Sequence, residues 1–427
     1  MDHFNYLNGQ LYAEEVAVSE IADAVGTPFY LYSTATLLRH YGLVTTALDG
    51  LDHLVCYAVK AASNQAILRT LVNAGAGMDV VSAGEYLRAQ AAGVASQKIV
   101  FSGVGKTAAE IATALDGGLR QFNVESEPEL ELISTIAASK GLTVPITIRV
   151  NPDVDAKTHA KISTGKAENK FGVPISQSRE VYARAAKMPG LKIVGVDVHI
   201  GSQLTDLAPF EKAYRKVSEL TGVLRSDGHE ITRLDLGGGL GIPYAPSDEA
   251  PPHPSEYGKL IKDIFKRLNC EIQVEPGRLI VGNAAILVAS VISCKSTDAK
   301  NFLVLDAAMN DFLRPAMYNA WHEIIPIQQP EEHAEEIRYD VVGPVCETSD
   351  SFACDRVLPS LCSGDLVAFR STGAYGAVMA SEYNSRPLIP EVLVNGKNYA
   401  VVRPRPSIED MIDRDIIPQW LCSSSSD

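Results

Sequence analysis

The chain has few positive charges, no long hydrophobic run and no regular spacing of cysteines. Lysine and arginine number 38 against 52 aspartates and glutamates, so the formal net charge is −14. Because an acidic chain repels phosphate backbones, this composition argues against nucleic-acid binding. The longest apolar stretch, Ile280–Ile292, is interrupted by Gly282 and Asn283 and is too short to span a bilayer. We therefore expect binding neither to nucleic acid nor to a membrane.

Further absences bear on the compartment and on metals. Seven cysteines, an odd number without tight spacing, predict a reducing environment. No basic segment followed by an apolar one opens the sequence, so no secretion signal is expected and the predicted location is cytoplasmic. No cysteines and histidines have the spacing of metal ligands, so no metal is predicted.

What the chain does contain is a strand–helix unit repeated eight times. Apolar runs rich in valine and isoleucine end in polar or glycine residues, with helix-like stretches between them. The runs are Leu54–Lys60, Gly77–Ser82, Lys98–Gly103, Gln121–Ser126, Ile146–Asn151, Ile193–Gly201, Arg233–Gly239 and Glu271–Arg278. This order predicts a (β/α)8 TIM barrel, whose chemistry lies at the C-terminal ends of the strands.

Helix-start signals support the repeat. Ser82, Thr107 and Ser126 each stand three residues before a glutamate, directly after a predicted strand. This spacing is that of a capping box, which satisfies backbone donors at the start of a helix. Three such boxes in matching positions favour the strand–helix interpretation far more than one would.

After the eighth run the pattern changes from alternating strands and helices to short β-like segments. We expect a barrel over residues 33–282 and an all-β domain over residues 283–421. Residues 1–32 are expected to pack with the β domain. The serine-rich tail, residues 422–427, is expected to be disordered.

The predicted strand ends suit an enzyme with a phosphate-bearing cofactor and a reactive lysine. Lys60 ends the first strand, where desolvation disfavours the charged amine and makes it nucleophilic. The glycines Gly237-Gly238-Gly239 follow the seventh strand, where many barrels bind a phosphate through backbone amides. The ordinary alternatives are a lysine that reaches solvent and a plain tight turn.

Other strand ends carry groups that could hold a pyridoxal ring. Glu275, after the eighth strand, could keep a pyridine nitrogen protonated, which makes the ring an electron sink. His199 could lie flat against the ring, with Ser202 reaching the phosphate. Asp79 and Arg149 would set the charge around the lysine and the ring. A structural salt bridge, a core histidine and an ion pair at the barrel mouth are the alternatives.

The predicted β domain holds a second group of unusual residues. Cys346 lies beside Glu347 in a turn rich in glycine and proline, and Arg314 precedes Tyr318 by four residues. Tyr375 lies between small residues. Each could be ordinary loop chemistry, but Cys346 differs from a buried apolar cysteine because turn residues and an acid surround it.

Together these motifs resemble the fold-type III pyridoxal-phosphate decarboxylases, which are alanine-racemase-like barrels with a C-terminal β domain. The motifs are Tyr57–Ala61, His199–Gln203, Gly237–Gly239 and Glu275–Arg278. Other stretches are similar to the branch that converts meso-2,6-diaminopimelate to L-lysine and CO2, the last step of lysine biosynthesis. They are Thr158-His159 through Thr164-Gly165 to Lys170–Gly172, then Arg314–His322, Gly343–Asp350 and Gly373–Arg386. Small departures at Ala380–Glu382 and Glu168-Asn169 fall on no residue assigned to catalysis.

The resemblance implies pyridoxal 5'-phosphate as the cofactor and a role for each site residue. Lys60 forms the covalent link, Glu275 pairs with the ring nitrogen and His199 stacks on the ring. The phosphate is implied to be held by Gly237, Gly238, Gly239, Ser202 and the amides of Gly277 and Arg278.

For the substrate, the resemblance implies recognition at the distal amino-acid centre. Arg278, Arg314 and Tyr318 bind the distal carboxylate, and Glu347 binds the distal ammonium. Tyr375 touches both cofactor and substrate, and Cys346 is the proton donor. In this family the region around Cys346 reaches the active site of the other subunit, so a homodimer with composite sites is implied.

Two alternatives remain at the level of the sequence: another enzyme of the same fold, either a decarboxylase of a different substrate or an alanine racemase, and a non-catalytic carrier of the cofactor. An ornithine, arginine or carboxynorspermidine decarboxylase has no distal carboxylate to bind, so the pair Arg314 and Tyr318 argues against it. An alanine racemase keeps an arginine at the pyridine nitrogen, which Glu275 contradicts. A non-catalytic carrier of the cofactor would have no use for Cys346 and Tyr375 in a β domain.

Overall fold

The computed structural model describes residues 2–156, 164–165, 169–245 and 250–422. Thr158-His159 and Glu168 of the predicted motifs, and residues 423–427 of the predicted tail, lie outside the described residues. No helix in the described ranges is long and apolar enough to cross a membrane.

The chain forms two compact units. The first, here the barrel unit, comprises residues 2–3 and the described residues of Ser33–Ile286 and Arg370–Val378. The second, here the β unit, comprises Phe4–Tyr32, Leu287–Phe369 and residues 379–422.

The segment Arg370–Val378 differs from the sequence-based boundary, which assigned it to the β domain. Backbone hydrogen bonds hold it in the barrel unit: Thr372 N–H donates to the Ala285 carbonyl at 3.0 Å, and Tyr375 N–H donates to the Ala61 carbonyl at 2.8 Å. Placing Tyr375 in the β domain was therefore wrong, because these contacts join residues far apart in the sequence.

Eight parallel strands close the barrel, so the predicted fold is confirmed. Strands β1 to β8 are His53–Ala58, Gly77–Val80, Ile99–Phe101, Gln121–Val124, Val144–Asn151, Leu191–Asp197, Arg233–Asp235 and Glu271–Val274. β8 pairs with β1, and β4 pairs with β5, which closes the ring. Most strands end before the polar residues that the sequence prediction included, so those residues lie in the loops at the barrel mouth.

Helices surround the barrel and bury their apolar faces against the strands. They are Thr34–Ala47, Gln65–Asn73, Ala83–Ala91, Ala108–Gly117, Glu127–Ser139, Ser178–Ala185, Ala208–Ser226, Pro254–Phe265 and the short Arg278–Val281. The helix Gln65–Asn73, for example, buries Ile67, Leu68 and Leu71. Full burial of each such side chain stabilises the fold by roughly 1.5–3 kcal/mol. A two-residue strand, Val173–Pro174, extends the sheet beside β5.

The predicted capping residues start helices directly after the strands. Thr107 and Glu110 form a complete capping box. Ser82 accepts a hydrogen bond from the Glu85 N–H at 3.2 Å, but the Glu85 carboxylate accepts from the Val81 N–H at 2.8 Å, one residue before the cap. These caps fix where each loop at the barrel mouth becomes a helix.

The β unit is rich in strands, as predicted. Its strands are Phe4–Leu7, Gln10–Ala13, Val16–Ala17, Phe29–Ser33, Ala285–Ser296, Asn301–Leu305, Ile324–Pro326, Glu336–Val342, Ser351–Pro359, Leu366–Phe369, Glu391–Asn395 and Asn398–Arg403. Short helices span Val18–Val25, Arg314–Tyr318, Ile408–Ile412 and Gln419–Cys422. Its core includes Phe312, Phe352 and Phe369. The Phe369 ring contacts the rings of both Phe312 and Phe352.

Candidate active site

Lys60 lies at the barrel mouth in the turn Val59–Ala61, directly after β1. Its Nζ donates to Oδ2 of the buried Asp79 at 2.8 Å, while the lysine side chain remains 39% exposed. Desolvation lowers the pKa of Lys60, but the charges of Asp79 and Glu275 outweigh it and raise that pKa above its ordinary value. The expectation that desolvation would favour the neutral amine was therefore wrong, because a carboxylate is paired with it.

Glu275 follows β8 and is buried beneath the mouth. Its Oε1 accepts hydrogen bonds from Ser102 Oγ at 3.3 Å and from Asn123 Nδ2 at 3.1 Å. Burial raises the pKa of Glu275 well above its ordinary value, and the charges of Asp235 and Asp79 raise it further. The raised pKa favours the protonated form of this carboxyl group, which can share a proton with a basic ring nitrogen.

His199 follows β6 and presents a neutral ring. Its Nδ1 accepts a hydrogen bond from the Gly238 N–H at 3.1 Å, which assigns the ring proton to Nε2. Burial lowers the pKa of His199 well below its ordinary value, and the positive charges of Arg149 and Lys60 lower it further. A neutral imidazole can lie against a cationic ring without electrostatic repulsion.

The three glycines after β7 line the cavity with backbone alone. A Cβ on Gly237 would lie 2.6 Å from His199 Nδ1, and one on Gly238 would collide with the Glu275 carbonyl. Gly237 and Gly239 also have φ values of 62° and 116°, which L side chains rarely adopt. Side chains are therefore excluded here by both space and conformation.

The open amide donors are fewer than the glycine motif suggested. The Gly237 N–H donates to Asp235 Oδ1 at 3.1 Å, and the Gly238 N–H is bound to His199. Among the described residues, the N–H groups of Gly239 and Gly277 have no hydrogen-bond partner. These two amides point to where a phosphate would bind.

Arg278 lies at the same end of the barrel, between two aromatic rings. Its guanidinium donates to Ser202 Oγ at 3.2 Å and to Tyr244 Oη at 2.5 Å, and it lies 5.0 Å from the centre of the Tyr375 ring. Sequence reasoning missed Tyr244. The only local signal was an aromatic residue shortly after the glycine turn, and its pairing with Arg278 is long-range.

Arg149 was predicted to set the charge around the lysine and the ring, but its guanidinium is paired with another carboxylate. Its Nη1 forms an ion pair with Glu125 at 2.5 Å, and its Nη2 donates to the His199 carbonyl at 3.1 Å. The guanidinium also lies over the Phe171 ring. Arg149 thus holds the backbone that carries His199.

The remaining predicted residues lie in the β unit. Cys346 is exposed, and its Sγ accepts a hydrogen bond from Asn384 Nδ2 at 3.3 Å. The Glu347 carboxylate accepts hydrogen bonds from Tyr383 Oη and from Ser349 Oγ, which lower the pKa of Glu347 and keep it charged. Sequence reasoning assigned no role to Asn384 or Tyr383.

The loop that carries Cys346 is fixed at its base. The Asp350 carboxylate accepts from the Val345 N–H and from the Met309 N–H, both at 2.7 Å. Arg314 is buried at the start of the helix Arg314–Tyr318, and Tyr318 is half-buried in its last turn. The loop and the helix present a thiol, a carboxylate and a guanidinium in one unit.

The residues at the barrel mouth fit a pyridoxal phosphate. They comprise an amine that can react with an aldehyde, a protonatable carboxyl group for a ring nitrogen, and a flat neutral imidazole. Two open backbone amides are available for a phosphate.

Comparisons with known proteins agree with this chemistry. Residues 34–282 match the pyridoxal binding domain of the pyridoxal-dependent decarboxylases. A diaminopimelate decarboxylase of Vibrio cholerae is 49% identical over 96% of this chain and 98% of its own. The structure of the M. jannaschii diaminopimelate decarboxylase in complex with L-lysine superposes with a TM-score of 0.93 at 37% identity, covering 98% of this chain and 99% of that one. The Helicobacter pylori enzyme, also complexed with L-lysine, gives 0.89 at 43% identity, covering 93% and 98%.

Proposed function

The chain belongs to the pyridoxal-dependent decarboxylases and, within them, to the diaminopimelate decarboxylases, and we propose that the residues described above form its active site. It decarboxylates diaminopimelate to lysine and uses pyridoxal 5'-phosphate as its cofactor. The observation that carries the site assignment is Lys60 beside the buried Asp79, at the same mouth as Glu275 and the glycine turn.

Each barrel residue then has a definable task. When bound, the cofactor supplies an electron sink for the charge left at Cα after CO2 departs. Lys60 provides the amine for the covalent link. This amine must first give up a proton, which the paired Asp79 carboxylate can accept. Glu275 holds a proton at the ring nitrogen, and His199 supports the ring. Gly239, Gly277 and Ser202 bind the phosphate.

The β-unit residues complete the reaction. Cys346 donates its thiol proton to Cα as a general acid, so that a C–H bond replaces the bond to CO2. Asn384, which donates to the Cys346 sulfur, holds the thiol in place. Arg314 and Tyr318 bind the distal carboxylate, as does Arg278, and the charged Glu347 binds the distal ammonium.

The substrate assignment is tested by CO2 release from purified protein. With added pyridoxal phosphate we expect release from meso-diaminopimelate and little from L-ornithine or L-arginine, which lack the distal carboxylate. Polar mismatches of this kind can discriminate by about 10⁴-fold. Equal release from ornithine would instead favour a polyamine-type decarboxylase.

Replacing Glu275 with glutamine tests the electron sink. The amide is isosteric but cannot share a proton with the ring nitrogen, so kcat should fall on the order of a hundredfold while the cofactor still binds. Ser102→Ala is the matched control, because it removes only the 3.3 Å hydrogen bond to Glu275 and leaves the carboxyl group. Unchanged kcat in Glu275→Gln would remove Glu275 from the mechanism.

We propose that the active protein is a homodimer in which Lys60 of one subunit and Cys346 of the other share a site. The support is that these residues lie in separate compact units of the chain, together with the family resemblance. Mixing inactive Lys60→Ala with inactive Cys346→Ala should recover up to about a quarter of wild-type activity, since half the dimers are mixed and each has one intact site. No recovery after demonstrated subunit exchange would mean that each chain builds its own site.

We also propose a cytoplasmic location. Each cysteine whose side chain the structure describes is free, which suits a reducing compartment. Fractionation of the host cells tests this, and co-purification with a secreted marker would contradict it.

A further inference from the structure

The barrel interior beneath the candidate site contains a buried carboxylate that the proposed mechanism does not use. Asp235, on β7, is fully buried, and its Oδ2 accepts hydrogen bonds from Asn123 Nδ2 at 2.9 Å and from Gln273 Nε2. Its Oδ1 accepts from the Gly237 N–H at 3.1 Å. With three N–H donors directed at its two oxygens, Asp235 is set up to accept hydrogen bonds as a carboxylate.

This carboxylate lies against Glu275. Asn123 Nδ2, which donates to Asp235 Oδ2, also donates to Glu275 Oε1 at 3.1 Å, so the two carboxyl groups share one amide donor. Two carboxyl groups that share a donor in this way avoid being ionised together. Since three N–H groups are directed at the oxygens of Asp235, the negative charge is best placed on Asp235.

The polar chain continues away from the mouth and holds Asp235 in place. Gln273 Oε1 accepts from Arg120 Nε at 3.1 Å, and Arg120 forms an ion pair with Glu271 at the start of β8. Asn123 is itself fixed, because its Oδ1 accepts from Thr147 Oγ1 at 2.6 Å. Side chains from β4, β5, β7 and β8 thus fix the position of one negative charge.

We propose that Asp235 is a positioning residue that keeps a proton shared between Glu275 and the cofactor's ring nitrogen, through the negative charge it holds behind Glu275. The inference rests on the proposed function, in which the ring nitrogen faces Glu275. Burial and the charge of Asp197 raise the pKa of Asp235 to about 7, and burial and the charge of Asp235 raise the pKa of Glu275 well above its ordinary value.

Other ionisable groups also face this region, so the test must separate Asp235 from them. They are Cys56 on β1 and Lys60 after it, Asp79 on β2, Arg120 before β4 and Glu125 after it, Arg149 on β5, and Asp197 on β6 and His199 after it. Of the carboxyl groups among these described residues, none shares a hydrogen-bond donor with Glu275, whereas Asp235 shares Asn123 Nδ2 with it.

The direct test is the protonation of the ring nitrogen itself. Holoenzyme is prepared with pyridoxal phosphate labelled at the ring nitrogen, and its NMR shift is followed against pH in wild type and in Asp235→Asn. We expect the midpoint for loss of the ring proton to fall by about one pH unit or more in the variant, because a nearby charge shifts a pKa by about that much. kcat should fall with it, while KM changes little.

Thr147→Val is the matched control. It removes the hydrogen bond to Asn123 from the same network but leaves the charge of Asp235, so thermal stability should fall and the midpoint should stay at the wild-type value. If Asp235→Asn does not fold, Asp235→Ser removes the same charge and leaves room for water.

The outcomes separate this inference from the proposed function. Wild type that neither binds the cofactor nor releases CO2 would refute both. Active wild type with an unchanged midpoint in both Asp235 variants would overturn the inference alone. An equal shift in Thr147→Val would also overturn it, because network geometry rather than charge would then set the proton.

Discussion

Lys60→Ala is expected to abolish the visible absorbance of the bound cofactor and to reduce CO2 release from diaminopimelate to background. No other residue in the mechanism can supply the amine for the covalent link, so the loss should be complete rather than graded. Absorbance spectra of the variant after incubation with pyridoxal phosphate and dialysis, together with the CO2 assay, measure both effects.

Lys60→Arg is the matched control for charge. It keeps a cation beside Asp79 but cannot form the covalent link, so it should be as inactive as the alanine variant and fold at least as stably. An active Lys60→Arg would show that Lys60 serves only as the partner of Asp79.

Arg314→Ala is expected to reduce kcat/KM for diaminopimelate at least roughly 30-fold, since a buried charge partner contributes about 2–5 kcal/mol. The cofactor spectrum should stay unchanged, because Arg314 is assigned to the distal carboxylate and not to the ring. Steady-state kinetics with diaminopimelate should therefore show the loss, while cofactor binding stays as in the wild type. The preference for diaminopimelate over L-lysine and L-ornithine should also shrink in this variant.

Arg356→Ala controls for the loss of a guanidinium from the same unit. Arg356 is stacked 4.3 Å from the centre of the Trp321 ring and donates to the His322 carbonyl at 2.8 Å, with no assigned contact to substrate. We expect lower stability but wild-type kinetics. Wild-type kcat and KM in Arg314→Ala would refute the distal-carboxylate assignment.

The features that sequence predicted well are those with local physical causes. Thr107 and Glu110 form a capping box because the spacing alone brings their side chains to each other's backbone N–H groups. The eight strands follow from apolar runs of fixed order, and parallel strands joined by helices on one side close into a barrel.

Features that depend on long-range pairing were missed. Tyr375 was assigned to the β domain because it follows the change of pattern after the eighth strand, whereas the hydrogen bond to Ala61 decides where it lies. Asp235 stands between two leucines in an apparently apolar strand. Only the closed barrel shows that Asn123 and Gln273 reach it from other strands.

The charge state of Lys60 was mispredicted for a related reason. Its place at a strand end predicts desolvation, but the net effect depends on Asp79, which is 19 residues away and on a neighbouring strand. The sign of a pKa shift follows from all the charges around a group, and their arrangement is a property of the fold.

The most direct test of the proposed active site is to identify the lysine that carries the cofactor. Holoenzyme is reduced with borohydride, which fixes the cofactor to its lysine, and the digested protein is mapped by mass spectrometry. We predict the modification on the peptide that contains Lys60. Modification of Lys106 would contradict the assignment most clearly, because that amine is buried and already donates to Glu129 and to the carbonyls of Gly103 and Asn123.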